Sequence, residues 1–319
     1  MAKKYAFLFP GQGAQEPGMV KEVCGTFPDA RRVLDSVSSI TGKDMTKLLW
    51  ETEQAELSRS DNSQLAITTA SLVIAEVLRT KGIVPSAAMG FSLGEFPALC
   101  IAGVLSFDDV IRVVQKRGQI MQMVCEEIAA VNAGHAPGMS AIIGLPPGKV
   151  QEICNGLKDV YAANLNSFRQ TVISGTADGL AAAEKAATEA GARRAIRLSV
   201  AGPFHCPLMQ KAADEFEKVL ADVTFNDPKI DLFSNVTGKK VTKGVDAKKN
   251  AVLHLTHPVQ WMSEEKVLGE IMTADTADEW MVLEPGVGKV LSGLWRDSGF
   301  GEKWESMPIN SAESINGVL

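Results

Sequence analysis

Apolar positions change rhythm along the chain, and the changes mark its elements. Tyr5 to Phe9 is an unbroken apolar run that stops at Pro10 and the turn Gly11-Gln12-Gly13, the pattern of a buried strand emptying into a loop. A helical stretch is expected from about Pro17. From Gln64 to Lys81 apolar residues fall on nearly every face (Leu65, Ile67, Leu72, Val73, Val77, Leu78), and Gly82 supplies a stop, which predicts a largely buried helix. Ala87 to Met89 reads as a short strand of small residues ahead of Gly90-Phe91-Ser92-Leu93-Gly94, and another helical run follows, with Pro97 awkwardly placed in its early turns. Ser106-Phe107-Asp108-Asp109 opens a further helix with a capping-box-like start, expected to reach about Cys125. Its apolar stripe is Val110, Val113, Val114, Met121 and Val124. The missing i+7 step of that stripe is Arg117, so the spacing points a guanidinium inward.

Between about Gly138 and Ser199 the order becomes strand, helix, strand, strand, helix, strand, which is the βαββαβ order of a ferredoxin-like unit. The expected fold is therefore α/β. A large α/β-hydrolase-like domain with a mostly parallel sheet (residues 1–130 and 202–319) is interrupted by a small ferredoxin-like subdomain (131–201). The large part resumes with the turn Gly202-Pro203-Phe204-His205, a helix opened by Pro207, and strands near Asp231 to Ser234 and Trp280 to Leu283. The polar tail after Gly301 is read as loosely held.

Composition narrows the function classes. A chain of 319 residues that is 45% hydrophobic and 22% charged is an ordinary globular protein. A net charge of −6 disfavours nucleic-acid binding, and an anionic ligand would need its own local cation. The five cysteines (Cys24, Cys100, Cys125, Cys154, Cys206) are scattered, without metal or redox spacing, and read as reduced buried thiols. The apolar run before Pro10 is too short for a signal-peptide core or a membrane span, so a cytoplasmic location is expected.

Gly90 to Gly94 fits G-x-S-x-G, a serine on a strained strand-to-helix turn flanked by glycines because no Cβ fits so close. Such a serine needs a base, and the chain has four histidines. His205 follows a Gly-Pro turn just before a helix, where the dipole would keep its ring neutral; His135 lies in a Gly/Pro-flanked loop, and His254 and His257 precede Pro258. No acid stands at a telling offset, so a backbone carbonyl is the alternative orienter of the ring. Gly11-Gln12-Gly13 lacks the third glycine of a dinucleotide loop; it is either a plain tight turn or, with Leu93, a source of oxyanion N–H groups. An inward Arg117 is costly unless paired, either with an internal carboxylate such as Glu95 or with a bound anion, for which bidentate geometry suggests a carboxylate-bearing acyl group.

Taken together, FPGQGAQ (9–15), GFSLGE (90–95), RGQIMQ (117–122), NLNSFRQTVISG (164–175), GPFHCPLM (202–209), HPVQW (257–261) and EPGVGKVLSGL (284–294) resemble malonyl-CoA:acyl carrier protein transacylases, the FabD-like acyltransferases. The resemblance runs nearly the whole chain. It implies Ser92 as nucleophile, His205 as base, Gln12 and Leu93 as oxyanion donors, Arg117 as the malonyl carboxylate clamp, Asn166 near the pocket and the Gln260 carbonyl as the group orienting His205. It also implies malonyl-CoA and acyl carrier protein as partners, no metal or redox cofactor, neither nucleic acid nor membrane, a monomer, and a ping-pong transfer serving fatty acid synthesis. A polyketide acyltransferase, a serine thioesterase or esterase, and a degenerate carrier-binding protein are the alternatives. Two departures stand out: Phe91 where the family usually has histidine, and Asn166-Ser167-Phe168 where it usually has Asn-Ser-Pro. Carrier docking is expected at one of two basic clusters, Lys239, Lys240, Lys243, Lys248 and Lys249, or Arg193, Arg194 and Arg197.

Overall fold

The computed structural model describes residues 2–132 and 135–319. Its strands are β1 (Lys3–Phe9), β2 (Pro85–Gly90), β3 (Gly138–Ile143), β4 (Val160–Ser167), β5 (Gln170–Gly175), β6 (Arg194–Arg197), β7 (Asp231–Ser234), β8 (Lys239–Val241), β9 (Glu279–Pro285) and β10 (Ser306–Ile309). They divide into a six-stranded sheet, order β10-β9-β1-β2-β7-β8, and a separate four-stranded sheet, order β4-β5-β3-β6. The larger sheet is parallel except where β8 folds back on β7, as the run of strands separated by helices predicts. The smaller is antiparallel throughout, and its order is that of a ferredoxin-like unit.

Register decides where a site can form. Phe9 lies opposite Gly90, so β1 and β2 end side by side, and β7 lies next to β2. The loops leaving three adjacent strands then carry Gln12, Ser92 and Asn235 to one edge of the sheet, where open parallel sheets bind ligands. On the small sheet, alternation gives each face a separate task. Ile142 and Ile173 pack with Val150, Leu180 and Ala183 from the two helices covering that face. Met139, Ala141 and Val172 line the pocket. The sheets are tied together by Val259, which pairs with the edge of β4: its N–H donates to Ala163 O at 2.8 Å and its carbonyl accepts from Leu165 N–H at 2.9 Å.

Several elements differ from expectation. The first helix starts at Lys21 rather than near Pro17, and the buried helix is longer, Ser60–Thr80. The Arg117 helix runs Phe107–Val131, past Cys125. Pro97 sits in the first turn of Glu95–Ile101, where an N–H would have no intrahelical acceptor, so the late helix start removes the conflict. The tail after Gly301 is not loose: β10 pairs with β9, and the helix Ala312–Gly317 follows, with Ile309, Ile315 and Val318 buried. Two short elements bearing few apolar residues each leave little periodicity to read. All five cysteines are free, and among the described residues no helix is long and apolar enough to cross a membrane.

Candidate active site

Ser92 occupies the left-handed region (φ 52°) at the junction of β2 and a single 3₁₀ turn. The flanking glycines permit this: a Cβ on Gly90 would collide with the Gly94 carbonyl, and one on Gly94 with the Phe9 carbonyl. The Ser92 Oγ lies 2.7 Å from His205 Nε2. His205 is itself left-handed (φ 58°), and its Nδ1 lies 2.8 Å from the main-chain oxygen of His254. A carbonyl can only accept, so Nδ1 carries the proton and Nε2 is free to take one from Ser92. Burial lowers the imidazole pKa to about 4, against the His254 carbonyl and helped by the Arg117 charge. Burial therefore, more than the dipole of the following helix, keeps the His205 ring neutral.

The Gln260 carbonyl does not orient His205. It accepts the N–H groups of Ser263 and Glu264 at 3.0 and 3.1 Å, closing the first turn of Trp261–Ala274, and the His254 carbonyl takes the orienting role. Gln260 matters otherwise, because its N–H donates to Asn235 O at 2.8 Å.

Asn235 is a centre that sequence reasoning missed. It is fully buried, and every hydrogen-bonding group it has is used. Its Oδ1 accepts the Ser92 N–H at 2.6 Å and lies 3.0 Å from His254 Nε2. Its Nδ2 donates to Gly90 O and to Glu264 Oε1, both at 2.7 Å, and its N–H donates to Glu95 Oε2 at 2.9 Å. Burial raises the Glu95 pKa to about 7, opposed by this N–H and by Arg117, and burial, with the Glu95 charge adding, raises that of Glu264 well above the carboxylate range. In the sequence Asn235 is one residue in a turn after a short strand; only the pairing of β7 with β2 brings it under the elbow.

Arg117 points inward as the stripe predicts and is 1% exposed. Gly118 lets its helix approach Ser60–Thr80 closely, since a Cβ there would press on the Ser60 carbonyl at 2.6 Å. Of the two alternatives the sequence leaves, the Glu95 pairing is not made: among the described residues no carboxylate lies within 4.0 Å of the guanidinium, and Glu95 instead accepts the Asn235 N–H. Instead Nη1 donates to Gln64 Oε1 at 2.7 Å and the guanidinium lies 5.2 Å from the Phe96 ring centre. Nε and Nη2 are buried without partners among the described residues. Burial depresses the pKa to about 10, leaving the group cationic at neutral pH.

Ser92, His205 and Arg117 line one cavity of about 210 Å³ with Gln12, Asn164 and Asn166. The buried Asn166 Oδ1 is unpartnered, and the main-chain N–H groups of Gln12 and Leu93 donate to no described residue. Phe91, also on the wall, meets Trp261 edge-on at 5.4 Å. The other departure, Phe168, is exposed. His135 and His257 are exposed, away from this cavity's lining.

Residues 6–273 match the family model for the acyl transferase domain. The chain belongs to that family. Among acyltransferases it is 38% identical over 296 residues to the malonyl CoA-acyl carrier protein transacylase of Bacillus subtilis, covering 91% of this chain and 89% of that protein. The solved malonyl CoA-acyl carrier protein transacylase of Coxiella burnetii superposes with a TM-score of 0.90 at 32% identity, covering 100% of this chain and 97% of that one. A malonyl-transacylase solved in complex with a type II polyketide acyl carrier protein gives a TM-score of 0.89 at 31% identity over 99% of both chains. This acyltransferase thus has the family's mixed architecture, a mostly parallel sheet beside a separate antiparallel one.

Proposed function

We propose that this acyltransferase moves a malonyl group from malonyl-CoA to the phosphopantetheine thiol of acyl carrier protein, for fatty acid synthesis, in the cytoplasm and as a monomer. The observation that carries the reading is the buried Arg117, with two guanidinium nitrogens unpartnered, in the same cavity as the Ser92–His205 pair. A buried cation with free donors fits an anionic acyl end, and paired N–H groups fit a carboxylate.

Ser92 Oγ attacks the thioester carbonyl while His205 Nε2 takes its proton. The tetrahedral oxyanion is held by the Gln12 and Leu93 N–H groups. As it collapses, the C–S bond breaks, the coenzyme A thiolate leaves with the proton from His205, and malonyl-serine remains. The carrier thiol reverses these steps, giving its proton to His205 and receiving the malonyl group. No metal or redox cofactor is called on. Asn166 Oδ1, unpartnered at the pocket wall, is assigned to hydrogen-bonding the substrate.

The same reading puts the carrier on the arginine cluster. β6 leads directly into Leu198 and Val200 on the pocket wall, and Arg193 and Arg194 are exposed, while Arg197 pairs with Glu184. In the lysine cluster, Lys240 and Lys243 pair with Asp231 and Asp227, and Lys248 donates to two carbonyls.

Intact-mass measurement after mixing with malonyl-CoA tests the proposal. A gain of one malonyl group, lost in Ser92→Ala and transferred when carrier is added, is expected. No adduct would refute the reading, and an adduct released to water at the same rate with or without carrier would favour a thioesterase.

A further inference from the structure

His254 is completely buried, and its ring centre lies 5.1 Å from that of His205, the planes tilted by 36°. Its main-chain oxygen already serves His205. Its ring has a different partner, Asn235 Oδ1, at 3.0 Å. The direction of that bond is fixed by counting. Both Asn235 Nδ2 protons go to oxygens, Gly90 O and Glu264 Oε1, so Oδ1 faces His254, and an amide oxygen only accepts. Nε2 of His254 must therefore carry the ring proton, and its Nδ1, buried and without a partner among the described residues, carries none. The same Oδ1 accepts the Ser92 N–H.

We propose that the His254 ring is a positioning residue for acyl transfer: its Nε2–H locks the Asn235 amide, which fixes the Ser92 main chain, while its own carbonyl fixes His205. One residue then sets both ends of the Ser92–His205 hydrogen bond. With a donor at Oδ1 and acceptors at Nδ2, the Asn235 amide has a single orientation; removing the Nε2–H leaves Oδ1 with the Ser92 amide alone and loosens the turn holding the nucleophile in its left-handed conformation. The inference rests on Ser92 and His205 being the reacting pair of the proposed transfer.

The test compares His254→Gln, whose side-chain N–H can donate to Asn235, with His254→Phe, which keeps ring volume but cannot; His254→Leu replaces the Phe variant if that does not fold. All keep the main-chain carbonyl. Two readouts are used: kcat and KM for malonyl transfer, and the rate at which a fluorophosphonate labels Ser92, which needs no malonyl chemistry. The apolar variant should lose about 10- to 100-fold in labelling rate and in kcat, the range for a sub-ångström to ångström misplacement, with KM for malonyl-CoA unchanged. His254→Gln should recover most of both, and Asn235→Ala combined with the apolar variant should be no slower than Asn235→Ala alone. Wild-type labelling in the apolar variant, equal loss in the Gln variant, or additive losses would overturn the proposal. If wild-type protein is labelled by the fluorophosphonate but never malonylated, the malonyl reading fails and the His254 comparison is still decided by the labelling rates.

Discussion

Two buried polar centres meet at this pocket, and they are built on opposite principles. Every donor and acceptor of Asn235 itself is matched: the Ser92 amide, Gly90, Glu95, Glu264, His254 and Gln260 all converge on it. Arg117, equally buried, has one hydrogen bond to Gln64 and two nitrogens left over. A side chain with every hydrogen bond made is held in one orientation, and Asn235 passes that rigidity to the elbow through the Ser92 amide. An unsaturated buried cation destabilises the empty protein, a cost that a ligand carboxylate can offset on binding. Under the proposed function, the fully bonded Asn235 holds the part of the site that must not move, and the free donors of Arg117 await the substrate.

The comparison breaks most visibly through substitution at both centres. Arg117→Met should reduce kcat/KM for malonyl-CoA by roughly 30- to several-thousand-fold, corresponding to about 2–5 kcal/mol for truncating one partner of a buried charge pair. Its melting temperature should not fall, because the change removes a buried charge with unfilled donors. Asn235→Ala should do the reverse for stability, losing about 3 kcal/mol or more as several buried partners go unsatisfied. Thermal melts of the two variants check this, and equal destabilisation would erase the distinction.

A smaller effect sharpens the chemistry beside Asn235. With the His205 pKa lowered to about 4, the base stays neutral through the range in which an ordinary histidine protonates. A protonated ring cannot accept the Ser92 proton, so activity is lost as pH falls through the folded value. The rate of Ser92 acylation against pH should hold from pH 7 to about 5 and decline toward 4; an acid limb near 6.5 would contradict a buried neutral base. Stability follows the same direction, since between the unfolded value near 6.5 and the folded one the unfolded chain binds a proton that the folded chain does not. The smallest effect lies outside both centres. Arg193→Glu with Arg194→Glu should raise the carrier KM several-fold, most at low salt, and leave malonyl-serine formation unchanged, whereas reversal of Lys239 and Lys249 should change neither quantity.

What the sequence revealed of the site follows from the same contrast. Arg117 was legible because a lone cation on an apolar stripe violates helical periodicity. Ser92 was legible because G-x-S-x-G between a strand and a helix is a local pattern, and the βαββαβ order was legible in the alternation from 138 to 199. Asn235 and the His254 carbonyl were not, since their roles exist only once β7 lies beside β2 and the chain from 244 to 259 folds back over it. Gln260 illustrates the hazard of assigning a main-chain oxygen from sequence: a carbonyl carries no side-chain signature, and a shift of six positions went unseen. Whether Arg117 meets Glu95 or a bound anion stayed open in the sequence for the related reason that charge alone does not say which neighbour a carboxylate will serve.

The central claim is that the unfilled donors of Arg117 are reserved for the substrate's carboxylate. Its most direct test is the intact mass of the Ser92 adduct when the protein is mixed with equal concentrations of malonyl-CoA and acetyl-CoA. The wild-type protein should carry almost only malonyl, and Arg117→Met should lose that preference while still being acylated by acetyl-CoA. An Arg117→Met protein that still selects malonyl would contradict the account.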